Sequence, residues 1–295
     1  MTLDRIAPAL FVLLWSTGWI VAKYASPHAD PLTFLSLRFA IAAALFAAIT
    51  IASRAAWPRT RAGWIHGVAS GVFLHGLYLG GVWWAISQGV PASVSGLIAA
   101  LQPLLTAVAA PFIVGERLSG QQKLGVVLGF AGLAVAILPR ILALDPAMMQ
   151  VALVPLLVNI VAMASVTSGT LYQKRHLQEG DLRAIAALQY VGGFAVVMPL
   201  ALLFEPMRVD WNLEFALAMG WSVLGLSLVS IMLLLYLIRR GQVSRAASLT
   251  YLVPPAVAIE SWFLFGEALT VLMVVGTLIV VAGVWLTNRK TRVIV

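Results

Sequence analysis

The sequence FIVGERLSG at positions 112–120 has a partner further along the chain, FLFGEALTV at 263–271, and this pair decides the fold. The Gly115-Glu116 step of the first copy returns 151 residues later as Gly266-Glu267. The whole chain of 295 residues contains only eleven Asp and Glu residues. A carboxylate that recurs at the same place after the same kind of apolar run therefore indicates an internal repeat.

The same offset of 151 aligns further residues without a gap. Matches of Ala, Gly and Leu carry little information in so apolar a chain, whereas matches of Pro, Glu, Lys and Asp carry more. We therefore predict two copies of one unit, at 1–144 and 145–295. Besides the Gly-Glu step, the matched pairs are Lys23 and Lys174, Asp30 and Asp181, Pro103 and Pro254, Ala107 and Ala258, Phe112 and Phe263, Leu118 and Leu269, Gly125 and Gly276, and Ala131-Gly132 and Ala282-Gly283.

The composition is that of a membrane protein. The chain is 61% hydrophobic and 10% charged, with a mean hydropathy of +0.98, whereas soluble domains carry about 25% charged residues. A net charge of +8 is explained by Lys and Arg in cytoplasmic loops, so it is weak evidence for nucleic-acid binding. The absence of Cys excludes disulfides and thiolate-bound metals.

Ten apolar runs are long enough to cross a membrane as helices, which takes roughly 20 residues each. The first run is too long for the apolar part of a signal peptide and is predicted to be a transmembrane helix. The connections are short, and no linker or second soluble domain is expected. The predicted spans are 6–24, 32–52, 64–87, 92–114, 123–142, 151–172, 182–204, 213–238, 244–264 and 269–287.

The distribution of Lys and Arg predicts the orientation, because cytoplasmic loops carry the excess. With the N-terminus in the cytoplasm, the inner side holds fifteen of these residues and the outer side only Lys23, Arg140 and Arg208. The remaining one, Arg38, lies within the second span. Both termini are therefore expected on the cytoplasmic side.

Each predicted unit contains five spans, and an odd number of spans makes the second unit enter the membrane from the opposite side. The fold class is therefore predicted to be an all-α polytopic membrane protein with ten helices in two inverted repeats. Such repeats are typical of alternating-access transporters, which bind their substrate near the midplane between the repeats.

The order helix, Pro, helix, Gly-Glu, Leu, Ser or Thr, and a Gly-containing helix resembles the EamA unit of the drug/metabolite transporter superfamily. Within it, the chain is similar to bacterial inner-membrane exporters of amino acids, those of the YddG type included. The resemblance implies a basket-like fold with a central cavity lined by spans one, three, four, six, eight and nine. The residues that carry it are Pro103, Gly115, Glu116, Leu118, Gly125 and Gly132, with Pro254, Gly266, Glu267, Leu269, Gly276 and Gly283.

Polar and aromatic residues near the middle of the implied lining spans are the candidates for substrate binding, because polar groups in hydrocarbon face a cavity or a neighbouring helix. Each has a structural alternative. His75 can be a buried residue with internal partners, and Ser residues commonly bond to their own helix. The candidates are Trp15, Trp19, His75, Tyr78, Gln102, Asn159, Ser244 and Tyr251.

Two proline and two lysine residues are candidates for the transport cycle. Pro103 and Pro254 lie within spans four and nine, where a missing backbone hydrogen bond favours either a hinge or a simple bend. Lys23 and Lys174 lie at opposite membrane edges and are interpreted as the rims of two gates. The alternative for Lys23 is a side chain that reaches from the helix end to the interface.

The repeated carboxylates, Glu116 and Glu267, are interpreted as parts of structural turns. Each precedes the next helix by a few residues, and a carboxylate near a helix N-terminus is stabilised by about 0.3–1 kcal/mol. Ser119 and Thr270 are placed to cap those helices. The stripe of Gly125, Gly129 and Gly132 is expected to pack against another helix of the chain, with a dimer contact as the alternative; a monomer is therefore expected.

The energy source is less well defined by the sequence. There is no Walker motif, so ATP is not the expected source. His75 and Glu260 are the groups that could support proton antiport, whereas a facilitator needs neither. No cofactor and no metal site are expected, since the four His residues are scattered.

The sequence thus predicts an inner-membrane exporter of small zwitterions, most simply amino acids with aromatic or neutral side chains, and not an enzyme. The partners expected are this small-molecule substrate and the lipid bilayer. Export of quaternary ammonium or other drugs, or of nucleotide-sugar-like metabolites, is the alternative on the same fold. An intramembrane enzyme is disfavoured because no paired intramembrane Asp residues, no HExxH and no Gly-x-Ser-Gly segment with a partner His occur.

Overall fold

A computed structural model of the chain describes residues 2–113, 118–142, 146–177, 180–230, 233 and 252–287. Within these ranges the regular structure is helical, and the β-pairing in them is one isolated bridge between Ala29 and Val209. The helices are α1 Thr2–Ala25, α2 Pro31–Ala52, α3 Arg61–Gly71, π1 Val72–Leu77, α4 Tyr78–Ser87, α5 Ala92–Ile98, α6 Leu101–Ile113, α7 Gly120–Leu142, α8 Pro146–His176, α9 Leu182–Phe204, α10 Leu213–Gly220, π2 Trp221–Val229, α11 Val253–Phe265 and α12 Val271–Thr287.

Six of the helical segments in the described residues are long and apolar enough to cross a membrane, and four shorter apolar segments accompany them. The six are Pro31–Ala52, Arg61–Ser87, Ala92–Ala109, Gly120–Leu138, Ala152–His176 and Leu182–Phe204. The shorter ones are Ala9–Ala25, Leu213–Val229, Val253–Phe265 and Val271–Thr287. The prediction of an all-α protein with several apolar spans is therefore confirmed.

Local sequence explains where several helices begin. The side chains of Thr60 and Asn212 accept hydrogen bonds from backbone N–H groups three residues on, at 3.1 and 2.8 Å, which is the usual N-cap arrangement. Ser119 and Thr270 do the same for α7 and α12, at 3.3 and 3.2 Å. The predicted capping roles of Ser119 and Thr270 are thus confirmed.

Helices α2 and α9 pack along each other at the centre of the molecule. Phe39 and Phe46 of α2 contact Tyr190 of α9, with ring centroids 5.8 and 5.7 Å apart. Helix α3 approaches α9 so closely that a Cβ on Gly71 would lie 2.0 Å from the Gln189 carbonyl oxygen. Glycine is therefore required there by space, and the three helices pack closely together.

Helices α7 and α12 form a second close pair, in which glycines face glycines. A Cβ on Gly132 would lie 2.7 Å from the Gly276 carbonyl oxygen, and a Cβ on Gly125 would lie 2.6 Å from that of Gly283. Small residues allow such backbone contact in membranes, where dispersion and not the hydrophobic effect drives helix association. The predicted packing role of the glycine stripe is confirmed, and its partner lies in the same chain.

Three of the predicted spans are not regular α-helices throughout. The third and eighth spans each contain a π-helical segment, π1 and π2. In such a segment each backbone hydrogen bond spans one residue more than in an α-helix. In the fourth span α5 ends at Ile98 and α6 begins at Leu101. Pro103 cannot donate to the Ala99 carbonyl, and the Gln102 N–H donates to it instead at 3.1 Å, so the helix is interrupted just before the proline.

Two hydrogen bonds join the ends of helices that are distant in sequence. The Asp210 N–H donates to the His28 carbonyl at 2.8 Å, which joins segment 26–30 to segment 205–212. The Gln122 side chain, near the start of α7, donates to the carbonyl of Thr287, at the end of α12, at 3.2 Å. The Lys and Arg distribution predicts that the first contact lies on the outer side of the membrane and the second on the cytoplasmic side.

A first prediction concerns the close pair α7 and α12. Replacing Gly132 by Val places side-chain atoms where the backbone of α12 already lies, so the helices must separate, at a cost of roughly 1–3 kcal/mol. We expect a clearly lower midpoint of thermal unfolding in detergent. The control is Gly120→Ala, because a Cβ at Gly120 meets nothing within 4 Å. An equal midpoint for the two variants would show that the close approach does not contribute to stability.

Candidate substrate-binding site

The C-terminal half of α1 contacts α5, α11 and the residue Glu267 through polar groups on one helix face. Ser16 donates to Glu260 Oε1 of α11 at 2.6 Å, and Trp19 Nε1 donates to Ser95 of α5 at 3.1 Å. Lys23 pairs with Glu267 at 2.5 Å between Nζ and Oε1. The three α1 residues are spaced three and four apart, which brings them to one side of the helix.

Glu267, the partner of Lys23, also contacts the start of α5. Its carboxylate accepts the backbone N–H groups of Ala92 and Ser93 at 3.0 Å each, and it also accepts the Ser93 hydroxyl. These are the first N–H groups of α5, which have no partner within that helix. The expectation that Glu267 is held at the N-terminus of α12 is therefore wrong, because Thr270 caps α12 and Glu267 caps α5.

Gly266 explains why a glycine precedes this glutamate. It ends α11 in the left-handed conformation, with φ of 65°, which glycine adopts without steric cost. The turn directs Glu267 away from α12 and toward α5 and Lys23. Glu116, the matching residue, lies outside the described residues.

The charge of Glu267 is stabilised by its surroundings. Burial alone raises the pKa of this carboxyl group, but hydrogen bonds from Lys23 and Ser93 and the charge of Lys23 outweigh it and hold the pKa below its ordinary value of 4.5. The ionised form is therefore favoured in the folded protein, and the contact persists throughout the neutral range.

Trp19, one turn before Lys23 in α1, belongs to a buried polar triad with Ser95 and Asn159. Ser95 accepts hydrogen bonds from Trp19 Nε1 and, at 2.6 Å, from Asn159 Nδ2 of α8. Ser95 and Asn159 are fully buried, and Asn159 Oδ1 has no hydrogen-bond partner among the described residues. Two of the predicted binding residues, Trp19 and Asn159, are thus brought together by Ser95, which was not in the predicted set.

Two further predicted residues, His75 and Tyr78, belong to a separate cluster around Arg38. His75 stacks on Tyr190 with ring centroids 4.4 Å apart and an angle of 7° between the rings. Nε and Nη2 of Arg38 each lie 3.4 Å from Ser227 Oγ. Arg38 also interacts electrostatically with both tyrosines and with His75. Arg38 is 5% exposed, so a full positive charge lies buried beside these two candidate residues.

The π-helical segments shape this cluster. His75 lies in π1, and Ser227 lies in π2. The Ser227 hydroxyl donates at 3.1 Å to the carbonyl of Ser222, five residues earlier, as the wider turn of a π-helix allows. π-Helical turns are frequent at functional sites.

The remaining described candidates lie elsewhere. Gln102 of α6 is partly exposed and donates to Thr170 of α8 at 3.4 Å. Trp15 is 38% exposed and contacts Phe11, with ring centroids 5.3 Å apart. The structure therefore divides the described candidates among several places. Ser244 and Tyr251 lie outside the described residues.

The candidate hinge and rim residues are placed as follows. Pro103 follows the break between α5 and α6. Pro254 lies in the first turn of α11, where the missing N–H of a proline removes no hydrogen bond of the helix. Lys23 and Lys174 lie in the last turns of α1 and α8. Lys23 forms the contact with Glu267, and Lys174 is exposed.

Comparison with known proteins identifies the family. The model of the EamA-like transporter family matches residues 6–138 and again residues 153–289. The chain belongs to the EamA-like transporter family. The resemblance inferred from the Gly-Glu repeat is confirmed, and the protein is a membrane transporter and not an enzyme.

Relatives in bacteria carry more specific names. The probable amino-acid metabolite efflux pump of Salmonella typhimurium is 25% identical over 98% of this chain and 96% of its own. The aromatic amino acid exporter YddG of Ancylobacter novellus is 31% identical over 42% of each chain. A solved crystal structure superposes with a TM-score of 0.68 at 21% identity, covering 96% of both chains, which supports the fold alone.

A second prediction concerns pH. Because the folded-state pKa of Glu267 is lowered, its contribution to stability is present above its ordinary value of 4.5 and is lost as the pH falls through the folded-state pKa. We expect Glu267→Gln to lower the thermal midpoint at pH 7 and the difference from the wild type to shrink in acid. Lys23→Gln removes the partner and should leave a smaller effect for Glu267→Gln. A difference that is constant from pH 7 to pH 3 would contradict this account.

Proposed function

We propose that this transporter exports small zwitterionic metabolites, most simply amino acids with aromatic or neutral side chains, by alternating access. The observation that carries the proposal is the closure of one end of the molecule by Lys23, Glu267 and the N-terminus of α5. An alternating-access carrier needs one closed side in each state. The names of the Salmonella and Ancylobacter relatives support the substrate class.

The fold that we propose for this cycle is ten transmembrane helices in two inverted five-helix units, 1–144 and 145–295. The four shorter apolar helices then also cross the membrane. Two contacts between α7 and α12 support a two-fold axis: Gly125 meets Gly283 and Gly132 meets Gly276, and a shift of 151 residues with exchange of partners converts one contact into the other. The family model likewise matches the chain twice.

We further propose that the protein lies in the bacterial inner membrane with both termini in the cytoplasm. The Lys and Arg distribution supports this orientation, and it places the Lys23–Glu267 contact on the outer side. By the repeat, Lys174, Glu116 and Ser244 correspond to Lys23, Glu267 and Ser93. We assign to them the equivalent closure on the cytoplasmic side, formed when the outer side opens.

The substrate in this proposal meets aromatic and neutral polar groups near the membrane midplane. The predicted set, Trp15, Trp19, His75, Tyr78, Gln102, Asn159, Ser244 and Tyr251, supplies flat apolar surface together with hydrogen-bond donors and acceptors. The break before Pro103 and the start of α11 at Pro254 are the proposed hinges. Transport is facilitated or weakly proton-linked, with His75 or Glu260 as the titrating group.

The second candidate is export of a quaternary ammonium compound or a similar cationic drug, and Glu260 favours it. This carboxylate lies within α11, one of its oxygens accepts from Ser16, and the other is buried without a partner among the described residues. An intramembrane carboxylate attracts an organic cation. Nucleotide-sugar-like metabolites remain a weaker alternative, since they need several deep basic residues.

A third prediction tests the substrate class. Proteoliposomes with the wild-type protein should take up phenylalanine and, more weakly, threonine, but not a quaternary ammonium compound. Trp15→Ala and Tyr78→Ala should raise the half-saturation concentration for phenylalanine severalfold, since an aromatic contact contributes about 0.5–1.5 kcal/mol beyond burial. Trp211→Ala is the control, because Trp211 lies in an outer connection and is 77% exposed. Good transport of the cation without transport of phenylalanine would establish the second candidate instead.

A fourth prediction tests the outer closure. The chain has no Cys, so Ala22→Cys introduces a single reporter next to Lys23, at a position that is 2% exposed. We expect Glu267→Gln to increase its labelling by an impermeant maleimide from outside severalfold, because the contact with α1 is weakened. Glu205→Gln is the matched control, since Glu205 caps α2 through the Leu32 and Thr33 N–H groups at 2.9 and 2.8 Å without a lysine. Equal labelling in both backgrounds would show that Glu267 does not hold the outer side closed.

A further inference from the structure

Arg38 is a buried charge that the transport scheme above does not use. It lies in the outer half of α2 and is 5% exposed. Among the described residues the ion pairs are Lys23 with Glu267 and Arg183 with Asp181, and Arg38 belongs to neither. Charged groups at this depth normally pair with one another or mark a substrate path.

The groups around Arg38 are all neutral acceptors or rings. Ser227 lies at 3.4 Å from two guanidinium nitrogens, which is longer than the usual 2.7–3.2 Å of such a hydrogen bond. Tyr190, Tyr78 and His75 complete the surroundings. The guanidinium group therefore has neutral hydrogen-bonding partners, Tyr190 and Ser227, but no full counter-charge among the described residues.

The sequence offers no carboxylate to fill this gap. Of the eleven Asp and Glu residues, only Glu260 lies in the interior of a predicted span, and it contacts Ser16 of α1; Glu214 lies at the first turn of its helix. The others lie at helix ends or in the predicted connections. A counter-charge for Arg38 must therefore come from outside the protein.

Comparison of the two repeats indicates that the charge is not needed for the fold. The residue 151 positions after Arg38 is Gln189, which is buried in α9 and donates to Ser70 and to Gln173 at 3.1 Å each. A polar residue thus occurs at this place in both units, but a charge occurs in only one. A charge that occurs in only one of two related helices is better explained by an asymmetric ligand than by a requirement of the scaffold.

We propose that Arg38 binds the carboxylate group of the transported zwitterion, with Tyr190 and Ser227 orienting the guanidinium and His75 and Tyr78 bordering the ligand. This inference rests on the proposed function, since it requires a substrate with a carboxylate. The planar guanidinium fits a carboxylate with two parallel hydrogen bonds. A ligand without a carboxylate leaves the buried charge unpaired and binds more weakly.

The test compares two ligands of the same shape in proteoliposomes without a membrane potential. Phenylalanine has the carboxylate, and phenylalaninamide retains the ring and the ammonium group without it. The wild type should transport phenylalanine at least tenfold more efficiently than the amide. Arg38→Gln should reduce this ratio to near one by lowering phenylalanine transport. Arg183→Gln, which removes a guanidinium from the surface pair with Asp181, should leave the ratio unchanged.

Arg38→Lys provides a second variant that retains the charge and keeps the test informative if Arg38→Gln does not fold. A lysine cannot make the two parallel hydrogen bonds, so the half-saturation concentration for phenylalanine should rise severalfold while that for the amide stays constant. An unchanged ratio in a folded Arg38 variant, or an equal loss for both ligands, would overturn the inference and make Arg38 a structural residue. Failure of the wild type to carry phenylalanine at all would instead refute the proposed function.

Discussion

The contact between Glu267 and the first turn of α5 is the interaction on which the junction of α1, α5 and the end of α11 depends. In a bilayer the N–H groups that begin a helix cannot be left without acceptors unless water reaches them. Glu267 supplies two acceptor oxygens to Ala92 and Ser93, and its charge in turn holds Lys23 of α1. One carboxylate thus connects three spans that are distant in sequence, and the turn at Gly266 places it there.

Two kinds of contact between helices occur in the structure: close packing of backbones and contacts between single polar side chains. Helices α3 with α9 and α7 with α12 approach each other so closely that a single added Cβ would collide with backbone atoms. The contacts of α1 with α5 and α11 consist instead of single polar groups in register: Ser16, Trp19 and Lys23, each with one acceptor. Hydrogen bonds and an ion pair of this kind are individually weak and can exchange with water, which suits the opening that we propose for this interface.

The sequence predicts the scaffold well because its signals are local. Apolar runs of membrane length, the caps at Ser119 and Thr270 and the glycine stripe of α7 are read from neighbouring residues, and the structure confirms them. The identity of a distant partner is not local information. Glu267 therefore was expected at the nearest helix, whereas it caps α5. The stacking of His75 on Tyr190 of another span is likewise not local information.

Arg38 shows how a useful signal can be visible in the sequence and still be undervalued. A single arginine inside an apolar run costs free energy in a membrane and is seldom accidental, but only its surroundings in three dimensions show that it lacks a counter-charge. The positions at which the two repeats carry different residues are then informative. Trp19 corresponds to Thr170, and Arg38 corresponds to Gln189, so the helices are duplicated while the side chains near the midplane differ. The two-fold scaffold that we propose would present equivalent closures at its two ends. In that proposal the substrate between them, which has no such symmetry, is recognised by the residues that depart from the repeat.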